Sequence, residues 1–64
     1  MKNKDKKDEK LGRAEAALVA DWLKKEGKQL PNGFYAVWRM TPMQVSKIYD
    51  VSLVGVINAA RRTE

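Results

Sequence analysis

Cysteine and histidine are both missing from the 64 residues of this chain. Their absence excludes a disulfide framework, a thiol nucleophile and a zinc site built on sulfur or imidazole ligands. A nucleophilic pair would have to combine serine or threonine with lysine or a carboxylate. Ser46 and Ser52 are better explained as a packing residue and a helix cap. We therefore expect no enzyme activity, no bound metal and no cofactor.

Long apolar runs are missing as well. The longest apolar stretch, VSLVGVINAA, contains serine and asparagine and is far shorter than the ~20 apolar residues of a bilayer span. The charged start, MKNKDKKDEK, is not followed by the apolar core of a signal peptide. The four glycines are scattered, so no glycine-rich phosphate-binding loop is present. These absences predict a cytoplasmic protein with no membrane partner.

Positive charge is what the sequence has in excess. Thirteen Lys and Arg against eight Asp and Glu give a net charge of +5, which favours nucleic acid or another anionic surface as partner. A chain of this length forms one small domain and buries only ~60% of its unfolded surface. It must therefore fold on apolar packing alone, or gain stability from a second copy or a partner.

The chain divides into a charged arm over residues 1–10 and a single small helical domain over residues 11–64. The arm is expected to be disordered, either as a solvated tail or as a basic arm that contacts phosphates. Residues 11–26 predict a first helix, because Leu11, Ala14, Leu18 and Trp22 recur at steps of three and four. Val19 and Leu23 widen this apolar stripe. Gly27 is well placed to close the helix at its C-terminal end.

The segment between residues 28 and 39 predicts extended structure. Pro31, Asn32 and Gly33 form a turn signal, and the aromatic and β-branched residues of FYAVWR favour a short strand. Residues 28–30 are able to pair with it as a hairpin. Two strands alone are marginally stable, so another copy of the chain is a candidate for the missing strand.

Two further helices are predicted near the C-terminal end, joined by a tight turn. Thr41, Pro42 and Gln44 form a capping box at the start of the first. Asp50 tolerates the left-handed conformation that the turn needs. Ser52 caps the second helix, which should run from residue 53 to about residue 62.

The predicted fold is therefore mainly α. A three-helix, helix-turn-helix core would have a short β-hairpin or strand between helix 1 and helix 2. The expected centre of the core comprises Leu18, Trp22, Val45, Ile48, Val51 and Val56. Gly55, inside the last helix, has two explanations: close packing against the preceding helix of the pair, or close approach to a partner backbone.

Residues 41–62 resemble the helix-turn-helix of small excisionase-type and MerR-type DNA-binding proteins, and they are similar to phage repressors of the Cro kind. The resemblance covers about a third of the chain. The residues that carry it are Thr41, Pro42, Val45, Ser46, Val51, Ser52, Val56 and Ile57. It implies a small sequence-specific or architectural DNA-binding regulator of phages or mobile elements, with double-stranded DNA as partner. The unpaired strand and the apolar side chains of the last helix add the expectation of a homodimer or a protein partner.

The resemblance also implies which residues meet DNA. Ser52, Asn58 and Arg61 would face the groove, and Gln44 and Lys47 would lie near backbone phosphates. Arg39 and Arg62 add positive charge beside the motif.

Leu53, Val54 and Ile57 stand at groove-facing positions where polar residues are usual. They support an alternative function, in which a small adaptor or inhibitor docks this apolar face on a protein partner or a second copy.

Overall fold

The computed structural model describes residues 10–62, which form four helices around one apolar core. The helices are α1 (Arg13–Lys25), α2 (Phe34–Trp38), α3 (Pro42–Ile48) and α4 (Leu53–Arg61). The predicted mainly α class is thus confirmed. The predicted arm over residues 1–10 lies outside the described residues except for Lys10, which is exposed.

Both ends of α1 are closed by local hydrogen bonds. The Gly12 N–H donates to the Glu15 carboxylate at 2.9 Å, which satisfies a backbone donor that the first turn leaves free. At the other end Gly27 has a φ of 83°, and the Lys28 N–H donates to the Leu23 carbonyl at 2.9 Å. This is the Schellman arrangement, and it confirms Gly27 as the residue that closes α1.

The face that α1 buries is rotated from the one expected. The residues it buries are Ala16, Val19, Ala20 and Leu23. Ala14 is exposed, and Leu18 and Trp22 are only half-buried. The expected stripe begins at Leu11, which is buried but precedes the helix. Leu11 reaches the core from extended chain, so its position does not set the helical register.

The predicted strand and hairpin are wrong. Within the described part of the chain, Pro31–Gly33 is extended but pairs with no second strand, and Phe34–Trp38 is a short helix. A lone strand leaves its backbone groups unpaired, whereas a helical turn pairs them locally. The turn also lets Val37 be fully buried, with Phe34 and Trp38 packed at the edge of the core, while Tyr35 stays exposed. In a strand Tyr35 and Val37 would share a face.

Each helix contributes to the centre of the core. The largest fully buried side chains are Leu23, Val19, Val37, Val45 and Val56. The expected core positions at Val45 and Val56 are therefore confirmed, and Trp22 and Val51 pack half-buried against the core. Leu18 is half-buried on α1 without being part of this cluster. The expectation for Ile48 is wrong: its side chain is 59% exposed. Its neighbour Tyr49 takes the inward position at the end of α3 instead.

Candidate nucleic-acid interface

The start of α3 is held by a reciprocal pair of hydrogen bonds. The Thr41 hydroxyl accepts from the Gln44 N–H at 3.1 Å, and the Gln44 side-chain oxygen accepts from the Thr41 N–H at 2.9 Å. Pro42 occupies the first helical position. The predicted capping box is confirmed. The oxygen of Gln44 is held by the backbone, and its amide NH₂ is free to donate two hydrogen bonds to a ligand.

The turn between α3 and α4 spans residues 49–52 and is closed as predicted. Asp50 has a φ of 55°, which confirms its left-handed conformation. The Val51 N–H donates to the Ser46 carbonyl at 3.0 Å and so satisfies one of the last carbonyls of α3. The Ser52 hydroxyl accepts from the Gly55 N–H at 3.2 Å, which confirms Ser52 as the cap of α4.

Gly55 lets α4 lie directly against α1. A Cβ atom at this position would stand 3.0 Å from Cζ2 of Trp22 and 3.1 Å from its Cη2, distances that are tighter than most real contacts. Gly55 is therefore a site of close packing, but the helix it packs against is α1 rather than the expected preceding helix, α3. The contact sets how α4 is rotated, because the side that carries Gly55 must face the first helix.

The opposite side of α4 faces solvent. We call it the α4 outer face, and its residues are Leu53, Val54, Ile57, Asn58 and Arg61. Val54 is 64% exposed, and Leu53 and Ile57 are 36% and 38% exposed. The residues that α4 buries are Val56, Ala59 and Ala60. Since these sit on the other side of the helical wheel, the outer face remains free along the whole helix.

All seven residues predicted to meet DNA are exposed. Gln44 and Lys47 line the same shallow depression on α3, of about 260 Å³, so the structure brings these two together. Asn58 and Arg61 share the α4 outer face. The Ser52 hydroxyl is used as a cap, which leaves its proton as the group available to a ligand.

Arg39 belongs to a separate basic cluster that the sequence did not reveal. Its neighbours Lys10 and Trp38 line the same depression, of about 230 Å³. The Arg13 guanidinium lies 5.2 Å from the centre of the Trp38 ring, within the range of a cation–π contact. We call Lys10, Arg13, Trp38 and Arg39 the Trp38 cluster.

The Trp38 cluster borders the start of α3. The Leu11 N–H donates to the Met40 carbonyl at 3.2 Å, which joins the chain before α1 to the residue before the α3 cap. Sequence reasoning named Arg39 and missed Lys10 and Arg13. No local pattern links residues so far apart in the chain, and only the packing of α1 on α2 brings them together.

Negative charge is absent from α3 and α4. Neither helix contains Asp or Glu, and the nearest carboxylate in the sequence is Asp50, in the turn between them. Lys47 and Arg61 lie on the two helices, and Arg62 follows directly. A polyanion that approaches the α4 outer face therefore meets positive charge and a single carboxylate along the chain from residue 40 to residue 62.

Tyr49 closes the inner end of the turn. Its side chain is buried, and its hydroxyl has no hydrogen-bond partner among the described residues. Burial disfavours the charged phenolate, so the pKa of Tyr49 is raised above its ordinary value. Beside it, Ile48 and residues 28–31 line an open groove of about 470 Å³, and none of its lining residues belongs to α4.

No protein-family model, curated protein or solved structure matches this chain. None of the helices in residues 10–62 has the length and apolar character to cross a membrane. The same residues contain no group of three side chains placed to hold a metal ion. With no relative to compare, any proposal of function rests on the arrangement of α3 and α4 and on the charges around them.

Proposed function

We propose that the protein is a small DNA-binding regulator or architectural protein. In this proposal α3, the turn and α4 form a helix-turn-helix, and α4 lies in the major groove. The observation that carries it is the free outer face of α4, opposite a side that packs on α1. The B-DNA major groove, about 12 Å wide, admits an α-helix. The helix can enter it without any change in the core.

The distribution of charge supports the same function. A protein binds DNA largely by neutralising phosphates with Lys and Arg and releasing their counterions. Lys47, Arg61 and Arg62 provide such contacts on the two helices and just after them, and no acidic side chain lies on α3 or α4. The net charge of +5 attracts any duplex at low salt.

Each exposed polar side chain has a role that its chemistry allows. Asn58 is suited to a paired contact with adenine, and Arg61 to guanine or a phosphate. Lys47 and the free NH₂ of Gln44 would contact the backbone, with the Ser52 hydroxyl as a further donor. Contacts to phosphate fix the position of the protein, and contacts to base edges carry the sequence preference.

A titration of a fluorescent duplex with the full chain, repeated at several salt concentrations, tests the proposal. The logarithm of the affinity should fall linearly with the logarithm of salt concentration, with a slope of about −0.9 for each phosphate contact. Absence of binding at about 50 mM salt, where the electrostatic contribution is large, would rule the function out.

Two substitutions on α4 separate binding from folding. Arg61→Ala and Asn58→Ala should weaken DNA binding, because both side chains lie on the outer face. Their circular dichroism melts should stay close to that of the wild type, because both residues are exposed. The matched control for Arg61 is Lys24→Ala, which removes the same charge from the far end of α1. Only Arg61→Ala should reduce the salt slope by about 0.9.

The exposure of Leu53, Val54 and Ile57 favours a second candidate function. A cluster of aliphatic side chains in water usually marks a contact surface, so the protein would be an adaptor or inhibitor that docks on a protein, or would form a homodimer. The mass in solution of the wild type and of the Val54→Glu, Ile57→Lys double variant tests this. A wild-type monomer at all concentrations would exclude the homodimer.

A further inference from the structure

We propose that the α4 outer face reads the 5-methyl groups of pyrimidines in the major groove. The preferred ligand would then be duplex DNA rich in thymine, rather than any duplex of the same length and charge. This inference rests on the proposed DNA-binding function and specifies the chemistry by which α4 recognises its target.

The first half of α4 offers aliphatic groups where most groove-reading helices offer hydrogen bonds. Val54 is 64% exposed, and Leu53 and Ile57 are more than a third exposed. The nearest hydroxyl, on Ser52, already accepts a hydrogen bond from the Gly55 N–H. The side chains able to pair with base edges, Asn58 and Arg61, come one to two turns later. Apart from the Ser52 O–H, which remains free to donate, recognition by the first half of the helix must therefore use apolar contact.

Thymine supplies the matching surface. It is the one standard base that displays an apolar group, its C5 methyl, in the major groove. Leu53 and Ile57 are separated by four residues, or about 6 Å along the helix axis. Adjacent bases on a strand are about 3.4 Å apart. The three aliphatic side chains can therefore contact methyl groups on about two neighbouring base pairs.

The charges at the edge of this face favour DNA over a second copy of the chain. Arg61 lies on the face itself, Arg62 follows it, and neither α3 nor α4 has a carboxylate. In a two-fold dimer the same patch occurs on both partners. Arg61 of each chain would then be covered by a surface whose helices α3 and α4 carry no acidic side chain to pair with it. In a DNA groove, phosphates flank the base edges and neutralise these same cations.

Duplexes that differ only in methyl groups test the inference directly. The full-length protein is titrated against an alternating A·T duplex and against the same duplex with uracil in place of thymine. A second pair compares an alternating G·C duplex with its 5-methylcytosine counterpart. The methylated member of each pair should bind more tightly, by about fourfold for each methyl contacted, the value for burial of one methylene-sized group.

A single substitution should remove part of this preference. Val54→Thr keeps the shape of the side chain and replaces one methyl with a hydroxyl. We expect it to reduce the thymine-to-uracil affinity ratio by at least twofold, with the salt slope unchanged. Ile48→Thr is the matched control, since Ile48 is similarly exposed at 59% but lies on the groove formed with residues 28–31. It should leave the ratio unchanged.

The outcomes distinguish this inference from the function on which it rests. Equal affinity for thymine and uracil duplexes, with salt-dependent binding intact, overturns methyl reading and leaves DNA binding in place. A preference that follows base composition but not methylation also overturns it. No binding to any of the four duplexes defeats both proposals. A wild-type dimer that Val54→Glu converts to a monomer, without a methyl effect, assigns the face to a second copy instead.

Discussion

At the scale of single residues, Asp50 carries the conformational cost of the turn. Among residues 10–62 it is the one non-glycine residue with a positive φ, 55°. Left-handed backbone costs ~1–2 kcal/mol for an ordinary L-residue, and Asp tolerates it better than most. Asp50→Ala should therefore lower the free energy of unfolding by ~1 kcal/mol, measured by urea denaturation. Asp50→Gly should raise it by ~0.5 kcal/mol, since relief of strain exceeds the added chain entropy.

The charge of Asp50 is separated from its conformation by Asp50→Asn. Asn also tolerates positive φ, so stability should stay within ~0.5 kcal/mol of the wild type. If α4 lies in the major groove as proposed, removal of this nearby carboxylate should strengthen binding at low salt, because it repels phosphates. Equal stability of the Ala and Gly variants would show that the turn imposes no strain at this position.

Tyr49 gives a second prediction at this scale. Its buried hydroxyl lacks a hydrogen-bond partner among the described residues, and a buried polar group left unpaired costs ~1–3 kcal/mol. Tyr49→Phe removes that group with little change in shape. We expect it to raise the free energy of unfolding by ~1 kcal/mol at neutral pH, measured by urea denaturation.

The pH dependence of that variant follows from the raised pKa of Tyr49. The unfolded chain loses the phenolic proton at about pH 10, while the folded chain holds it to higher pH. Ionisation of this group therefore leaves wild-type stability unchanged below about pH 10, and the wild type loses stability as the pH rises from there through the folded-state pKa. Tyr49→Phe should lose less stability than the wild type above about pH 10. Parallel alkaline profiles for the two proteins would contradict this account.

At the scale of elements, the features that depend only on nearby residues in the chain could be predicted from the sequence. The capping box at Thr41, the left-handed Asp50, the Ser52 cap and the closing Gly27 all depend on hydrogen bonds or backbone conformations within a few residues. Each occurs where its pattern placed it. The helices α3 and α4 and the turn between them can therefore be predicted from the local sequence alone.

Secondary structure that depends on tertiary contacts could not be predicted from the local sequence. The segment 34–39 has the composition of a strand, but strand propensity depends on a partner to pair with, and none exists among the described residues. The burial of Val37 by α1 favours a helical turn there. The exposure of Ile48 and the burial of Leu11 have the same cause, because both depend on how the helices pack and not on local periodicity.

The contact of α4 with α1 gives a prediction at the element scale. In isolation Gly55→Ala should stabilise α4 by ~1 kcal/mol through helix propensity. In the protein the new Cβ would meet Trp22 at 3.0 Å, so most of that gain should be lost to displacement of the indole. In a Trp22→Leu background the space is free, and the full gain should appear.

A double-mutant cycle of urea denaturation measures this coupling. The predicted interaction energy between positions 22 and 55 is ~0.5–1 kcal/mol, as expected for residues in direct contact. The control is Asn58→Ala, a substitution at an exposed position of the same helix, which should show no coupling to Trp22→Leu. Additive effects at positions 22 and 55 would mean that Gly55 does not set the spacing of the two helices.

At the scale of the whole molecule, the fold gathers cations that are distant in the sequence. Arg13 stacks on Trp38, and Arg39 and Lys10 adjoin the same ring. The cluster borders the start of α3 through the hydrogen bond from Leu11 to Met40. We therefore expect the DNA footprint to extend beyond α3 and α4, with phosphates that flank the groove contacted by Arg13 and Arg39.

The Arg13→Gln, Arg39→Gln double variant tests this extended footprint. If each side chain neutralises one phosphate, the slope of log affinity against log salt should decrease in magnitude by about 1.8, or about 0.9 for each contact. The control is Lys24→Gln, Lys25→Gln, which removes the same two charges at the other end of α1. That end lies about 18 Å from Arg13 along a helix of this length, farther than the ~8 Å over which salt screens charge at physiological ionic strength.

The comparison of the two double variants distinguishes direct phosphate contact by the Trp38 cluster from attraction of DNA by the net charge alone. If the Trp38 cluster touches phosphates, its variant should lower the slope and the control should leave it nearly unchanged. If only the net charge of +5 matters, the two variants should weaken binding equally. Since both change exposed residues, melting curves close to that of the wild type should accompany either result, and the difference in slope then reports where the duplex lies on the protein.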